Sequence, residues 1–440
     1  MKVAMVTPLA MSSAVADVMM SAAAHVGPDW DLEVWYPTDG TPQPCPVPSR
    51  AFWRADAGVI EELSAFDLVV YVIGDSPRHV EILELAQVLP GLVVLHDASV
   101  TNLIRYAAQR SDALPALVDH VRSSVGALEA DEFELSLAED EPLAWFDLCA
   151  RVPLIDLAIA NSLGVVVHSA WAAARADGLT FGEVSVAPLP VPRPALGFGA
   201  STSAPAARDV LAGVPSSAVA LVSVGAVNPN RCIDRVIEAI AEDPQLRETV
   251  HVVVAGHISR TTERDLLLLA SEWGIKERVH LLGTVSDGEL ERILARADLC
   301  AALRDPVLEG KSGSLLTQMR TGAAVVVYDH GHYAELPDAV ACKVDPKAPV
   351  PELAAALRRL VVDADRRRAM GTAGAEYVGR LHTGEAYARA LVAAGEAALG
   401  ARPLLNLATD VAHRLQLLGI HEHPVVSAAA ADTLFELYPL

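Results

Sequence analysis

The sequence predicts an α/β protein in two halves, each built on a mainly parallel sheet. Three observations carry this. Short β-branched runs such as KVAMVTPL, FDLVVYVIG and GLVVLHD alternate with helix-length segments, as in βαβ units. The alternation lapses between about residues 184 and 207, in VSVAPLPVPRPALGFGASTSAPAA, where the prolines forbid regular structure. It then restarts with VALVSVGAV, and 440 residues suffice for two domains of ordinary size.

In the first half, strand KVAMVTPL leads into helix SSAVADVMMSAAAHV, with Ser12 or Ser13 available as N-cap. LEVWYP and FDLVVYVIG read as strands. Helix EILELAQVL precedes strand GLVVLHD, and helix LIDLAIANSLG precedes strand VVVHS. In the second half VALVSVGAV, HVVVAG, VHLLG, DLCAAL, AAVVVYD and CKV read as strands. CIDRVIEAIAE, TERDLLLLASEWG, ELERILARA, SGSLLTQMRTG and PELAAALRRLVVD read as the helices among them, with further helices around 366–377 and 386–399. The expected organisation is a first domain over 1–195, a linker over 196–206 and a second domain over 207–385. A closing helix over 386–400 is expected to pack toward the first domain, followed by a helical extension over 401–440. That extension has apolar residues at helical spacing, so it folds onto the body or forms a homodimer interface.

Composition narrows the function classes. With 52% hydrophobic residues the chain fills cores and is not disordered. A formal net charge of -22 repels polyanions, which excludes a general nucleic-acid-backbone binder while leaving room for a local anion pocket. The acidity suits a soluble, cytoplasmic protein. The start reads as a first strand, not a targeting segment, and no apolar run reaches transmembrane length. Cys45, Cys149, Cys232, Cys300 and Cys342 are scattered and odd in number, which argues against a disulfide framework or a compact zinc site.

In open parallel sheets, functional polar groups gather beyond the C-terminal strand ends. This selects the loops 12–14, 75–79, 96–97, 225–231, 256–260, 283–286, 309–314 and 329–335. Two sheets with these edges facing would form one cleft, with a nucleotide on the second half and an acceptor on the first. Arg231, just before a helix, suits a phosphate; a surface arginine in a turn fits the same residues. Ser312, Gly313 and Ser314 place hydroxyls and N–H groups at a helix start, where they can surround a diphosphate without a metal, and Lys311 adds charge. A plain helix cap explains either serine as well. Glu309 can accept hydrogen bonds from sugar hydroxyls or stand solvated in its loop. His96 can bond a hydroxyl across the cleft or be a satisfied histidine of the rim. His330 and His332 lack a third metal ligand, and no Asp-x-Asp pair stands at a strand end.

The segment from Asp305 to Asp338, DPVLEGKSGSLLTQMRTGAAVVVYDHGHYAELPD, together with LVSVGAVNPNRCIDRVIEAI, HVVVAGHISR, VHLLGTVSDGELERILARADLCAAL and RRRAMGTAGAEYV, resembles the donor half of family 4 retaining glycosyltransferases with the GT-B fold. MKVAMVTPLAMSSAVAD, VVYVIGDSPRHV and GLVVLHDAS resemble the acceptor half, so the likeness extends to about Leu399. It implies two Rossmann-like domains with a cleft between them, a nucleoside diphosphate sugar as donor substrate, no cofactor and no metal. The implied catalytic residues are His96, Glu309, Arg231 and Lys311. The implied donor contacts are Ser13, Ala14, Gly225, Asn228, Arg231, Gly256, Lys311, Ser312, Gly313, Ser314, Thr317 and Glu335. The chain departs from the family at several of these. The second of two glutamates eight positions apart is Thr317, an arginine position after Gly225 is Ala226, and a glycine position after Ser13 is Ala14. A branch of the family has Glu-Thr before SGS, where this chain has Gly310-Lys311.

The implied activity is metal-independent hexosyl transfer to a small-molecule acceptor, with specialised-metabolite (antibiotic) glycosylation favoured over envelope glycoconjugate synthesis. The departures keep a nucleotide-sugar binder without transfer, or an epimerase on the same architecture, as alternatives. The acceptor is not legible: Trp53, Trp145, Phe146 and Trp171 line a pocket or simply pack in the core.

Overall fold

The computed structural model describes residues 1–11, 13–38, 40–137, 144–191, 211, 213–420, 425–426, 429–430 and 433. Ser12, the expected linker 196–206 and most of 421–440 lie outside the described residues. The chain divides into two compact units. The first comprises Met1–Pro190, Leu308–Lys311 and Gly384–Leu440; the second comprises Val191–Val307 and Ser312–Thr383.

Each unit is organised on one sheet. The first contains β1 (Lys2–Val6), β2 (Asp31–Pro37), β3 (Ser49–Phe52), β4 (Leu68–Ile73), β5 (Leu92–Leu95), β6 (Gly164–Val167) and β7 (Val184–Val186), in the order β3-β2-β1-β4-β5-β6-β7. The second contains β8 (Val219–Val224), β9 (Val250–Ala255), β10 (Val279–Leu281), β11 (Leu299–Ala301), β12 (Ala324–Tyr328) and β13 (Cys342–Val344), in the order β10-β9-β8-β11-β12-β13. Every pairing between these strands is parallel. Helices cover the sheets, so β4 and β9 are buried along their whole length and read as unbroken apolar runs. The helix Ile233–Glu242 shows how the cover is made: Ile233, Val236, Ile237 and Ile240 recur at helical spacing and all are buried. In each sheet the strand order reverses once, between β1 and β4 and between β8 and β11. Loops leaving neighbouring strand ends part there and open a crevice.

Several elements differ from the sequence expectation. The stretch expected to lapse from residue 184 first forms β7, an edge strand paired with β6. An edge strand needs partners on one side only, which three residues ahead of Pro188 and Pro190 can supply. Between β5 and β6, where the sequence reading assigns nothing before residue 154, the helices Thr101–Arg110, Leu114–Ser124, Ala127–Leu137 and Trp145–Arg151 pack beside the sheet. The predicted helix after them shrinks to Asp156–Ile159.

At the C-terminus, the expected closing helix and extension are one helix, Gly384–Leu417, which runs through Pro403. Proline in a helix interior costs about 3 kcal/mol. Leu404 and Leu405 beside it are both buried, and full burial of a leucine contributes about 1.5–3 kcal/mol each. Packing therefore outweighs the lost hydrogen bond. Earlier in the helix, Gly395 admits Trp30 and Leu68 so closely that a Cβ would stand 2.6 Å from the indole ring and 3.0 Å from the leucine. Among the described residues no helix is long and apolar enough to cross a membrane.

Candidate functional site

In the second unit the crevice lies between the loops after β8 and β11. Gly225 follows β8 at φ 116, a region L-residues avoid, and a Cβ there would stand 1.9 Å from Nη2 of Arg231. Glycine is required for a second reason too: the Cβ direction is filled by the guanidinium. Arg231 ends the short turn Pro229–Arg231 and is 5% exposed. Its Nε donates to the Ala226 carbonyl at 2.8 Å, and Nη2 donates to the Ser314 hydroxyl at 3.4 Å. Gly256, after β9 at φ 153, is pinned by close approach, since a Cβ would lie 2.0 Å from the Gly225 carbonyl oxygen.

Asn230 ties the two loops together. Its side chain donates to the Pro306 carbonyl at 3.1 Å, and its own carbonyl accepts from the Asp305 N–H at 2.9 Å. Beyond Pro306 the chain reaches the helix Gly313–Arg320. Ser312 is its N-cap, accepting from the Leu315 N–H at 3.3 Å, and its hydroxyl lies 3.2 Å from that of Ser314. Arg231 thus stands beside two hydroxyls at a helix N-terminus, whose first N–H groups have no intrahelical partner. Fixed positive charge, helix dipole and donors on one spot suit an anion.

The other second-unit candidates lie around this cluster with different environments. Gly313 is the exposed first residue of the helix. Thr317 donates its hydroxyl to the Gly313 carbonyl at 2.9 Å, within its own helix. Asn228 is exposed ahead of the Pro229 turn, and Glu335 is exposed beyond β12. Among the described residues no group of three or more His, Cys, Asp or Glu is arranged to hold a metal.

The first unit holds a second cluster, at the ends of β4, β5 and β6. Its frame includes residues 308–311, which lie against the end of β5. Leu308 accepts from the N–H groups of Ala98 (2.7 Å) and Ser99 (3.1 Å), and Gly310 donates to the His96 carbonyl at 2.9 Å. The Ser169 hydroxyl donates to the Gly310 carbonyl at 2.7 Å. Gly310 is obligatory here, because a Cβ would meet the His96 carbonyl oxygen at 2.8 Å. Asp97 and Glu309 form an isolated antiparallel bridge. Lys311, 7% exposed, ends this stretch, and the next residue, Ser312, belongs to the second unit.

Burial dominates the chemistry of this cluster. It pushes the Asp97 carboxyl up to about 7, helped by the charges of Asp75 and Glu309 and opposed by the Asp75 N–H, which donates at 2.7 Å. It raises Asp75 to about 6, against hydrogen bonds from Leu103 and Asn102. His79 is lowered to about 4 by burial, although its Nδ1 meets the Val72 carbonyl at 2.8 Å. His96 is held well below the ordinary histidine range by burial and then by His168. His96 is therefore neutral at physiological pH, with Nδ1 3.1 Å from Nε2 of His168. Its Nε2 is buried and has no hydrogen-bond partner among the described residues.

Ser13 serves as N-cap of the helix Ala14–Ala23, accepting from the Ala16 N–H at 3.3 Å, and Ala14 is the exposed first residue of that helix. Of the aromatic candidates, Trp53 is 71% exposed, whereas Trp145 is half-buried and donates to Asn102 at 2.9 Å. The structure thus brings Arg231, Ser312 and Ser314 together in the second unit, and His96 and Glu309 to one strand end in the first. Sequence reasoning did not single out His168, nor Asn230 within the selected loop 225–231. The strand-end rule could have found the first, since VVVHS places a histidine directly after a buried strand.

Residues 213–377 match the family described as Glycosyl transferases group 1. Among curated proteins none matches the sequence. Among solved structures, WaaG, a glycosyltransferase involved in lipopolysaccharide biosynthesis, is 17% identical, with a TM-score of 0.58 over 90% of this chain and 99% of WaaG. HepE of Anabaena, solved with UDP and glucose, is 14% identical, with a TM-score of 0.58 over 89% of this chain and 98% of its own. Sucrose-phosphate synthase of Thermosynechococcus elongatus is 17% identical, with a TM-score of 0.54 over 89% and 97%. At these identities the likeness establishes the fold: two parallel-sheet Rossmann-like domains of the GT-B class.

Proposed function

We propose that this chain is a retaining glycosyltransferase that moves a sugar from a nucleoside diphosphate sugar to a small-molecule acceptor. The observation that carries the reading is the Arg231–Ser314 contact of 3.4 Å at the start of the helix Gly313–Arg320. It supplies a diphosphate with a buried cation, two hydroxyls and helix N–H groups. The family match covers this unit, and HepE, which shares the fold, is described in complex with UDP-glucose. In this reading residues 207–385 take the donor and 1–195 the acceptor. Asn228, Gly313, Thr317 and Glu335 are assigned to the nucleotide, and Ser13 and Ala14 to the phosphates or sugar.

The chemistry balances without a metal. The acceptor hydroxyl oxygen bonds to the anomeric carbon as the bond from that carbon to the diphosphate oxygen breaks. The departing diphosphate takes the hydroxyl proton on the same face of the sugar, so configuration is retained. Arg231, Lys311 and the Ser312–Ser314 donors stabilise the charge that develops on the leaving group. Glu309 and His96 orient sugar hydroxyls.

A second reading, nucleotide-sugar binding without transfer, is favoured by one observation: the Thr317 hydroxyl is engaged with Gly313 in its own helix. A panel of nucleotide sugars separates the two. Transfer or donor hydrolysis that persists in EDTA supports the first. Binding without turnover supports the second. Turnover lost in EDTA and restored by magnesium refutes the metal-independent site.

A further inference from the structure

β5 and β6 are adjacent and in register, with Val93 opposite Val165 and Val94 opposite Val166. Two residues further on, the same register sets His96 opposite His168. Their rings lie 4.6 Å apart, with Nδ1 of His96 3.1 Å from Nε2 of His168. On its other side, Nδ1 of His168 lies 3.2 Å from the carbonyl of Ala187, which follows β7. Both histidines are buried, at 8% and 3% exposure.

The direction of this chain follows from what each atom can do. A carbonyl oxygen only accepts, so Nδ1 of His168 carries the hydrogen. In a neutral ring Nε2 of His168 is then an acceptor. Nδ1 of His96 must donate to it, which leaves Nε2 of His96 with a bare lone pair. That atom is the buried nitrogen without a partner among the described residues. A lone pair calls for a donor such as a hydroxyl and repels a carbonyl or phosphate oxygen.

We propose that His168 is a positioning residue: it locks His96 in the Nδ1–H tautomer, so that Nε2 accepts a hydrogen bond from a hydroxyl of the sugar substrate. The substrate part rests on the proposed function; the tautomer does not. Tyr387 steadies the pair from the far side, its ring 5.7 Å from His168 and its hydroxyl 3.8 Å from the Met19 sulfur. The main chain of His96 is fixed separately, by Ile73 and Gly310.

The test uses the full chain with 15N-labelled histidine, and long-range proton–nitrogen correlation reads the tautomer of His96. The native protein should show hydrogen on Nδ1 and an acceptor-type Nε2. His168→Leu removes the acceptor and should release His96 to the Nε2–H form. His168→Gln, whose amide oxygen can accept in the same place, should retain the native form. With UDP-glucose as donor, kcat/KM should fall about tenfold in His168→Leu, the scale of one lost hydrogen bond, and recover in His168→Gln. UDP affinity should be unchanged in both. An Nε2–H tautomer in the native chain overturns the proposal. So does equal activity in the leucine and glutamine variants while their His96 tautomers differ. If UDP-glucose is not turned over at all, the functional reading is what suffers, and the spectra of the native and leucine chains still decide whether His168 sets the tautomer.

Discussion

Replacing Gly225 with alanine drives a methyl group into the Arg231 guanidinium. The new carbon would stand 1.9 Å from Nη2 and 2.8 Å from Cζ. Arg231 is the element that must yield, because Gly225 itself is fixed between β8 and the close contact with Gly256. Swinging it away breaks the 2.8 Å bond to the Ala226 carbonyl and removes the cation from Ser314. An alanine at φ 116 adds backbone strain, on the order of 1–3 kcal/mol. A lost charge-assisted contact to diphosphate is worth about 1.5–3 kcal/mol, which is about 10- to 100-fold in Kd. Calorimetry with UDP on Gly225→Ala, Arg231→Ala and the double variant measures the coupling. The two substitutions act through one contact, so the double variant should bind no more weakly than Arg231→Ala. Additive losses, or Gly225→Ala binding UDP as tightly as the parent, would refute this account.

Three further outcomes are expected. Arg231→Ala and Lys311→Ala should each lower transfer efficiency by about one to two orders of magnitude, whereas Glu309→Gln should slow transfer with UDP affinity nearly intact; steady-state kinetics beside calorimetry checks this. Asp97→Asn should stabilise the fold at pH 8 and not at pH 4. The folded carboxyl titrates near 7 against an ordinary 3.8, so the native state loses stability as pH rises between those values, on the order of 4 kcal/mol. His79, lowered to about 4 from 6.5, works in the opposite sense and destabilises the fold as pH falls through that window. Denaturant titrations at both pH values read the two slopes. Ending the chain at residue 400 removes the buried Leu404 and Leu405 and should cost several kcal/mol, about 1.5–3 for each. Ending it at residue 412 spares them and should leave the melting temperature within a few degrees of the parent.

Much of the sheet architecture was legible because strands buried on both faces must be apolar throughout: VVYVIG and HVVVAG admit few other readings. The strand-end rule selects the loops that hold Arg231, Ser312, Ser314 and His96 for the same reason, since loops leave a parallel sheet where its runs stop. What escaped depends on contacts between distant residues. The pairing of His96 with His168 requires the register of β5 on β6, which no local pattern contains. Gly225 reads as a turn glycine, and only coordinates show a guanidinium in place of its Cβ. The helix Gly384–Leu417 reads as two segments in the sequence, and the burial that carries it through Pro403 is tertiary. The helices between residues 101 and 151 have apolar faces diluted by charge, as in ALEADEFELSL, and they offered little contrast.

The stretch 308–311 has a consequence for how this site can change over time. The bonds that seat it run through the main chain of Ala98, Ser99, Leu308, Gly310 and His96, with one hydroxyl from Ser169. None of them involves the side chains at 308, 309 or 311. Position 310 is closed to variation by the 2.8 Å approach to the His96 carbonyl oxygen, and Lys311, buried at 7% exposure, has little room to change. Substitution at Glu309 therefore changes which group the site offers without removing a donor or acceptor of these backbone bonds. A saturation library across these four codons should lose the fold first at position 310 and activity at 309 and 311, and it is the place to begin directed evolution toward a different donor.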